Sequence, residues 1–171
     1  MKHLLAFLSE KNDEANLFRG EMICCQPINI WIAVAILGFI AGISASPMFA
    51  FEFKNFNAAI FALISSLLAL ALVILHVKHK HHTLTRWLEY LPCLKMTAFF
   101  VQMAAAVFFV IYIVLAIVRG QNLSKIRGEN LYIACVWIWM TWKWSFSIFW
   151  FSRKYKLICD ERLIVDQDNQ S

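Results

Sequence analysis

Four long runs without a charged side chain organise this 171-residue sequence, and a single lysine interrupts the last of them. A helix rises about 1.5 Å per residue, so about 20 apolar residues cross the hydrocarbon core of a bilayer. The runs are Met22–Phe51, Asn55–Val77, Met96–Val118 and, broken at Lys143, Asn130–Ser152. The pattern predicts an all-α fold, a four-span transmembrane helical bundle with short loops.

The composition agrees with this class, because 61% of the residues are hydrophobic and 16% are charged. The segments outside the runs are too short for a soluble domain. We therefore expect one transmembrane domain, and the polar segment from Asp160 is predicted to be disordered. The expected divisions are an N-terminal tail 1–21, a transmembrane domain 22–152 with spans at about 28–51, 55–77, 96–118 and 130–152, a loop 78–95, and a C-terminal tail 153–171.

The distribution of basic residues predicts the orientation of the bundle. Eleven Lys and Arg lie in the two tails and the middle loop, and four lie in the other two connections. Positive residues stay on the cytosolic side of a membrane, so both termini and the loop 78–95 are expected to be cytosolic. The basic residues lie beside the spans, and membrane topology therefore explains the net charge of +5. The charge does not indicate nucleic acid as a partner.

Small residues on the first span predict how it packs. Gly38, Gly42 and Ser46 follow one another at four-residue spacing, and the second span carries small residues at the same spacing from Ala58 onwards. Helices in lipid associate through close contact at such residues. We interpret the strip as internal helix packing, with a homodimer or partner-helix face as the alternative. The sequence leaves the oligomeric state open.

Lys143 lies near the middle of the fourth run, among tryptophans that include Trp142 and Trp144. A charge at the centre of a bilayer costs about 2.5–3.5 kcal/mol on insertion scales. The main interpretation is anchoring, by snorkelling of the long side chain and by cation–π contact with the indoles. The alternatives are binding of an anionic lipid headgroup or a partner's intramembrane acid, and a role in transport.

A cluster of four histidines lies where the second run ends: His76, His79, His81 and His82. Histidines three residues apart on a helix can ligate zinc. However, Lys78 and Lys80 lie among them and would repel a cation. We interpret the cluster as a basic collar facing the headgroups, with metal binding and pH sensing as alternatives.

Three short motifs concern modification or sorting. Cys24 and Cys25 abut the cytosolic end of the first span, where palmitoylation is common. The segment from Tyr155 to Ile158 fits the tyrosine-x-x-apolar signal that clathrin adaptors bind in an extended conformation. Asn122 begins a glycosylation sequon, but we predict no modification because its short loop holds it close to the membrane.

No enzyme motif is present in the sequence. It contains no serine–histidine–acid set, no CxxC pair and no phosphate-binding glycine loop. We predict no catalytic residue, no metal site and no cofactor.

The order of several elements resembles that of the lysosome-associated protein transmembrane family, whose members are four-span proteins with cytosolic ends. These elements are a Cys-Cys pair within Met22–Pro27, Leu-Pro-Cys within Tyr90–Met96, and Lys143, Trp150 and Tyr155 in and after the last run. The resemblance covers about residues 22–158 and implies endolysosomal residence with sphingolipid contact. The long glycosylated first lumenal loop of the family is absent here. The C-terminal tail contains no proline, so the family's ligase-recruiting motifs are absent too.

These observations favour a non-enzymatic endolysosomal adaptor or regulator of trafficking, in contact with the lipid bilayer, other membrane proteins and clathrin adaptors. The first alternative is a small transporter or channel, with Lys143 facing a polar lumen and the histidines lining its exit. The second alternative is a MARVEL-type protein that organises vesicle membranes.

Overall fold

The computed structural model describes residues 28–81, 83–122 and 128–168, with the backbone alone at Thr85, Arg86 and 161–168. The chain divides into two compact units, residues 1–31 and 32–171. Residues 28–31 are the described part of the first unit, and they begin the first helix. All contacts discussed below lie within the second unit.

Helices account for most of the described residues, and these residues include no strand. A π-helical turn, Met48–Glu52, extends the first helix, and a 3₁₀ turn, Leu84–Trp87, precedes the third. The helices are α1 Ile28–Pro47, α2 Phe56–Lys80, α3 Tyr90–Val118 and α4 Leu131–Asp168. The predicted all-α fold is therefore confirmed for this part of the chain.

Three of these helices are long and apolar enough to cross a membrane: α1 with its π turn, α2 and α3. Helix α4 carries five of the seven tryptophans, Lys143 and a polar C-terminal third, which lower its hydropathy. Its backbone stays helical to Asp168, whereas the polar sequence from Asp160 predicts disorder. Glu, Arg and Leu in this segment are strong helix formers, and they favour continuation of the helix beyond its apolar part.

Helices α1 and α2 approach closely through their small residues. Gly42 is buried, and a Cβ atom there would lie 2.8 Å from both the Ala62 carbonyl oxygen and the Ser66 Cβ. The Ser46 hydroxyl donates a hydrogen bond of 3.0 Å to the carbonyl of Ala59. Contact at this distance between backbones supplies van der Waals attraction, which replaces the hydrophobic drive that is absent in lipid.

Aromatic contacts join α3 to α2 and to α4. Phe61 of α2 packs edge-on against Tyr112 of α3, with ring centroids 5.7 Å apart. Phe109 of α3 lies 5.9 Å from Trp139 of α4. Alanine fills much of the remaining interior, and the buried alanines are Ala35, Ala58, Ala59, Ala62, Ala69, Ala98, Ala105, Ala116 and Ala134.

Helices α2 and α4 run in the same direction and meet at both ends. At one end, the Asn55 side-chain amide donates to the Asn130 carbonyl at 2.9 Å. At the other end, His76 Nδ1 and the Tyr155 hydroxyl are 2.7 Å apart. The parallel arrangement therefore brings together residues that are 75 and 79 positions apart in the sequence.

Asn55→Ala is expected to lower the free energy of unfolding by about 1–3 kcal/mol. Asn55 is fully buried, and its side-chain oxygen also caps α2 by accepting from the Ala58 N–H at 3.1 Å. The substitution removes both bonds, and denaturant titration in detergent measures the change. Asn122→Ala is the matched control because the Asn122 side chain is exposed. Equal stability of the two variants would contradict this role of Asn55.

Candidate functional site

The strongest polar anomaly in the described interior is His76. It lies near the end of α2 and has no exposed surface. Its Nδ1 is paired with the Tyr155 hydroxyl, but its buried Nε2 has no hydrogen-bond partner among the described residues. A buried polar atom without a partner is destabilising, so such an atom requires a functional explanation.

Aromatic rings from α2 and α4 surround this imidazole. Phe151 packs edge-on against His76, with ring centroids 4.6 Å apart. One turn further along each helix, His79 stacks on Tyr155 at 3.8 Å with the ring planes 10° apart. Phe151 and Tyr155 are four residues apart, so they share one face of α4. We call His76, His79, Phe151 and Tyr155 the histidine–tyrosine cluster.

The tautomer of His76 determines what its unpartnered Nε2 can do, and the contact with Tyr155 is compatible with either tautomer. When Nδ1 carries the proton, it donates to the Tyr155 oxygen, and His76 Nε2 presents a lone pair. A lone pair on imidazole is a metal ligand, and a partner on the other ring nitrogen is the usual means of fixing its tautomer and orientation. In the tautomer with the proton on Nδ1, the cluster therefore contains an oriented metal ligand among aromatic rings.

A bare metal ion would need more ligands than the cluster offers. No group of three or more His, Cys, Asp or Glu side chains comes together in the described ranges. Structural zinc requires four ligands and catalytic zinc three. A single imidazole instead suits a metal that arrives with most of its coordination already filled.

Basic side chains lie at the same end of the helices as the histidine–tyrosine cluster. The Lys78 ammonium lies 5.0 Å from the centre of the Trp87 ring, which fixes it by cation–π attraction. His81 and Lys80 are exposed, whereas His82 lies outside the described residues. The predicted collar thus separates into one buried histidine, one stacked histidine and an exposed basic edge.

Lys143 lies on an exposed face of α4. Its ammonium is 4.4 Å from the centre of the Trp144 ring, and the Trp142 ring is half-buried. Trp144 itself is buried against Gly38 of α1, where any Cβ atom would collide with the indole. The cation–π contact that the sequence suggested for Lys143 is therefore present, and it involves Trp144.

The remaining predicted sites are placed as follows. Tyr155 is 4% exposed within a continuous helix and Ile158 is partly buried, a geometry unlike the extended one that adaptors bind. Asn122 is exposed after α3. Cys24 and Cys25 lie outside the described residues.

The described fold and site define a class of protein: a helical membrane protein with an imidazole buried between two of its helices. Residues 91–144 match the family described as haem-transporter, endosomal/lysosomal, haem-responsive gene. The chain is 35% identical over 144 residues to the heme transporter hrg-1 of Caenorhabditis elegans, an alignment that covers 81% of this chain and 74% of that protein. It therefore belongs to the haem-responsive-gene family of haem transporters.

A second relative, the heme transporter hrg-4 of the same organism, is 27% identical over 161 residues, covering 79% of this chain and 83% of that protein. No solved structure matches the chain. Because the family consists of transporters, the prediction that the protein is not an enzyme is confirmed. The family description also agrees with the predicted membrane and endolysosomal location.

Two predictions from the sequence are wrong. The likeness to the lysosome-associated protein transmembrane family does not hold, because the Leu-Pro-Cys element and Lys143 both lie inside the segment that matches the haem transporters. The predicted adaptor function is also wrong, because the relatives are transporters. The alternative hypothesis of a small transporter agrees better with them. Nothing in the comparisons supports a trafficking role or a clathrin adaptor as partner.

Proposed function

We propose that this protein transports haem across an endosomal or lysosomal membrane, with His76 as a ligand to the haem iron during passage. The observation that carries the proposal is the 35% identity to a haem transporter over 81% of the chain. The unpartnered nitrogen of the buried His76 adds a chemical reason.

Haem fits the histidine–tyrosine cluster because the porphyrin supplies four of the iron ligands. A protein then needs to add one or two axial ligands, and histidine is a common one. His76 Nε2 supplies that ligand, while Tyr155 holds the opposite nitrogen of the ring. The rings of Phe151 and His79 offer apolar and stacking surface for the macrocycle.

The two carboxylates of haem require compensation at the same end of the helices. Basic side chains are abundant there, and those nearest the cluster along α2 and α4 are Lys78, Lys80, Arg153, Lys154 and Lys156. Ammonium and guanidinium groups form strong charge-assisted hydrogen bonds with carboxylates. This basic edge favours an anionic porphyrin over a neutral one.

In this conformation the histidine–tyrosine cluster is closed to a ligand of that size. His76 has no exposed surface, and its ring is enclosed by Phe151 and Tyr155. Haem can reach Nε2 after α2 and α4 separate at this end. The described conformation therefore corresponds to an occluded, substrate-free state of the proposed transport cycle.

We also propose that α4 is the fourth span. Its first 22 residues, Leu131–Ser152, would extend about 33 Å, enough to cross the hydrocarbon core. Four crossings leave the tails 1–21 and 153–171 on one side, and the excess of Lys and Arg assigns that side to the cytosol. The histidine–tyrosine cluster then lies at the cytosolic end and the Asn55–Asn130 contact at the lumenal end.

Reconstitution into liposomes tests the proposed transport. Haem is added outside vesicles that contain a trapped apo-globin, and arrival of haem is read from the Soret absorbance of the reconstituted globin. Vesicles with the protein are expected to accumulate haem faster than protein-free vesicles of the same lipid composition. Equal rates, with correctly folded protein present, would refute the proposal.

Tyr155→Phe is expected to reduce haem transport about tenfold, the lower end of the range for loss of an outer-shell partner of a metal ligand. The variant removes the hydroxyl that pairs with His76 Nδ1 but keeps the ring that stacks on His79. Tyr90→Phe is the matched control because that ring is 64% exposed. Transport is measured in the same liposomes, and circular dichroism establishes that both variants fold. Transport at the wild-type rate would contradict the positioning role of Tyr155.

A further inference from the structure

Four aromatic rings form a continuous stack along one face of α4. They are Trp139, Trp142, Phe146 and Trp150, and we call them the aromatic ladder. Successive ring centroids lie 5.0, 5.6 and 6.3 Å apart, and successive ring planes differ by 21°, 9° and 26°. Trp139, Phe146 and Trp150 are 51%, 41% and 55% exposed and Trp142 is half-buried, so much of the ladder is accessible from outside the described helices.

A charge borders this ladder. Lys143 follows Trp139 by four residues and precedes Phe146 by three, so it occupies the same exposed face of the helix. The sequence contains no Asp or Glu in any of the four uncharged runs. The four runs therefore supply no carboxylate to pair with Lys143, and the contact with Trp144 holds the ammonium in place.

We propose that the aromatic ladder and Lys143 form a second, membrane-exposed binding surface for the porphyrin, separate from the histidine–tyrosine cluster. This inference rests on the proposed haem transport. Rings that stack on one another along a helix present their edges outward, so a flat macrocycle would pack its face against those edges, an arrangement that aromatic groups favour. A porphyrin carboxylate would pair with the Lys143 ammonium beside them. The surface binds porphyrin that has partitioned into the bilayer, and it requires no iron ligation.

Position separates this surface from the iron ligand. Lys143 precedes Tyr155 by 12 residues, which is about 18 Å along the helix. Lys143 is exposed, whereas Tyr155 is buried against α2. Because haem is amphiphilic, a surface on the lipid side raises its local concentration beside the helix pair that must open to admit it.

The test uses full-length protein in phosphatidylcholine nanodiscs with three probes: protoporphyrin IX without metal, its dimethyl ester without free carboxylates, and haem. Quenching of tryptophan fluorescence measures the affinity. Lys143→Gln is expected to weaken protoporphyrin IX binding about tenfold, equivalent to about 1.4 kcal/mol, and to leave the ester unaffected. Lys143→Arg keeps the charge and is expected to retain most of the affinity. Lys95→Gln is the control for a lysine on another helix.

A double variant, Trp142→Leu with Phe146→Leu, probes stacking and is expected to weaken both the acid and the ester. Wild-type affinity of Lys143→Gln for protoporphyrin IX, or equal losses for acid and ester, would overturn the proposal. A change of oligomeric size in the double variant with unchanged porphyrin affinity would assign the face to a second copy of the chain and overturn it too. The two ideas have separate readouts: Lys143→Gln is measured with metal-free porphyrin, which needs no iron ligand, whereas His76→Ala is measured by haem transport. Failure of one measurement therefore leaves the other proposal standing.

Discussion

Replacing His76 by alanine is expected to reduce haem transport by about 100-fold or more, to the rate of protein-free vesicles. Loss of an outer-shell partner alone costs about 10–100-fold in metal affinity, so removal of the ligand itself is more severe. The substitution eliminates Nε2, the buried imidazole nitrogen without a partner in the described structure. The measurement is haem accumulation by proteoliposomes that contain a trapped apo-globin.

The matched control is His81→Ala. His81 lies five residues further along the chain and is exposed, and its backbone N–H, which bonds to the Val77 carbonyl, is unaffected by the change. The control is expected to transport at the wild-type rate. Circular dichroism and unfolding curves establish that both variants fold. A folded His76→Ala protein that transports haem normally, with an unchanged Soret spectrum, would exclude His76 as an iron ligand.

Gly42→Leu is expected to destabilise the protein by about 3 kcal/mol, the upper part of the usual range for overpacking. A Cβ atom at this position would lie 2.8 Å from the Ala62 carbonyl oxygen, which is rigid helix backbone. The two helices must move apart, and they lose the close contact that stabilises them in lipid. Denaturant titration of the purified protein in mixed micelles measures the change in unfolding free energy.

Ala41→Leu provides the comparison on the same turn of α1. Ala41 is exposed, so the larger side chain meets lipid, and the expected change is within about 0.5 kcal/mol. A Gly42→Leu protein as stable as this control would mean that α1 does not depend on contact with Ala62 and Ser66.

The helical class could be predicted from the sequence because the length of an uncharged run directly limits what it can form. The ends of the helices were less predictable. Helix α3 begins at Tyr90, although its uncharged run begins at Met96. Pro92 is tolerated there because the first four N–H groups of a helix have no intrahelical acceptor. Polarity marks where lipid ends, whereas backbone hydrogen bonding determines where a helix ends.

The site was harder to predict because it depends on how two helices are rotated about their axes. His76 and Tyr155 are 79 residues apart, and one was interpreted as part of a basic collar and the other as a sorting signal. A usable signal was present, since His76 is the one histidine inside an uncharged run, and Tyr155 closely follows the end of another. When two runs cross the membrane in the same direction, residues near their ends lie at the same depth in the membrane. The pairing of His76 with Tyr155 can be predicted only when the packing of the helices is known. The same is true of the contact between Trp144 and Gly38.

The bond between Asn55 and Asn130 has a mechanical consequence for the parallel helices α2 and α4. It lies 21 residues, or about 31 Å, from His76 along α2, so it is placed to act as a pivot. A tilt of about 10° around this amide would separate the far ends by about 5 Å, given that lever length. A small change of angle at the lumenal end would thus open a gap at the cytosolic end that is wide enough to admit a flat molecule edgewise. The lumenal end, where the pivot lies, would stay closed.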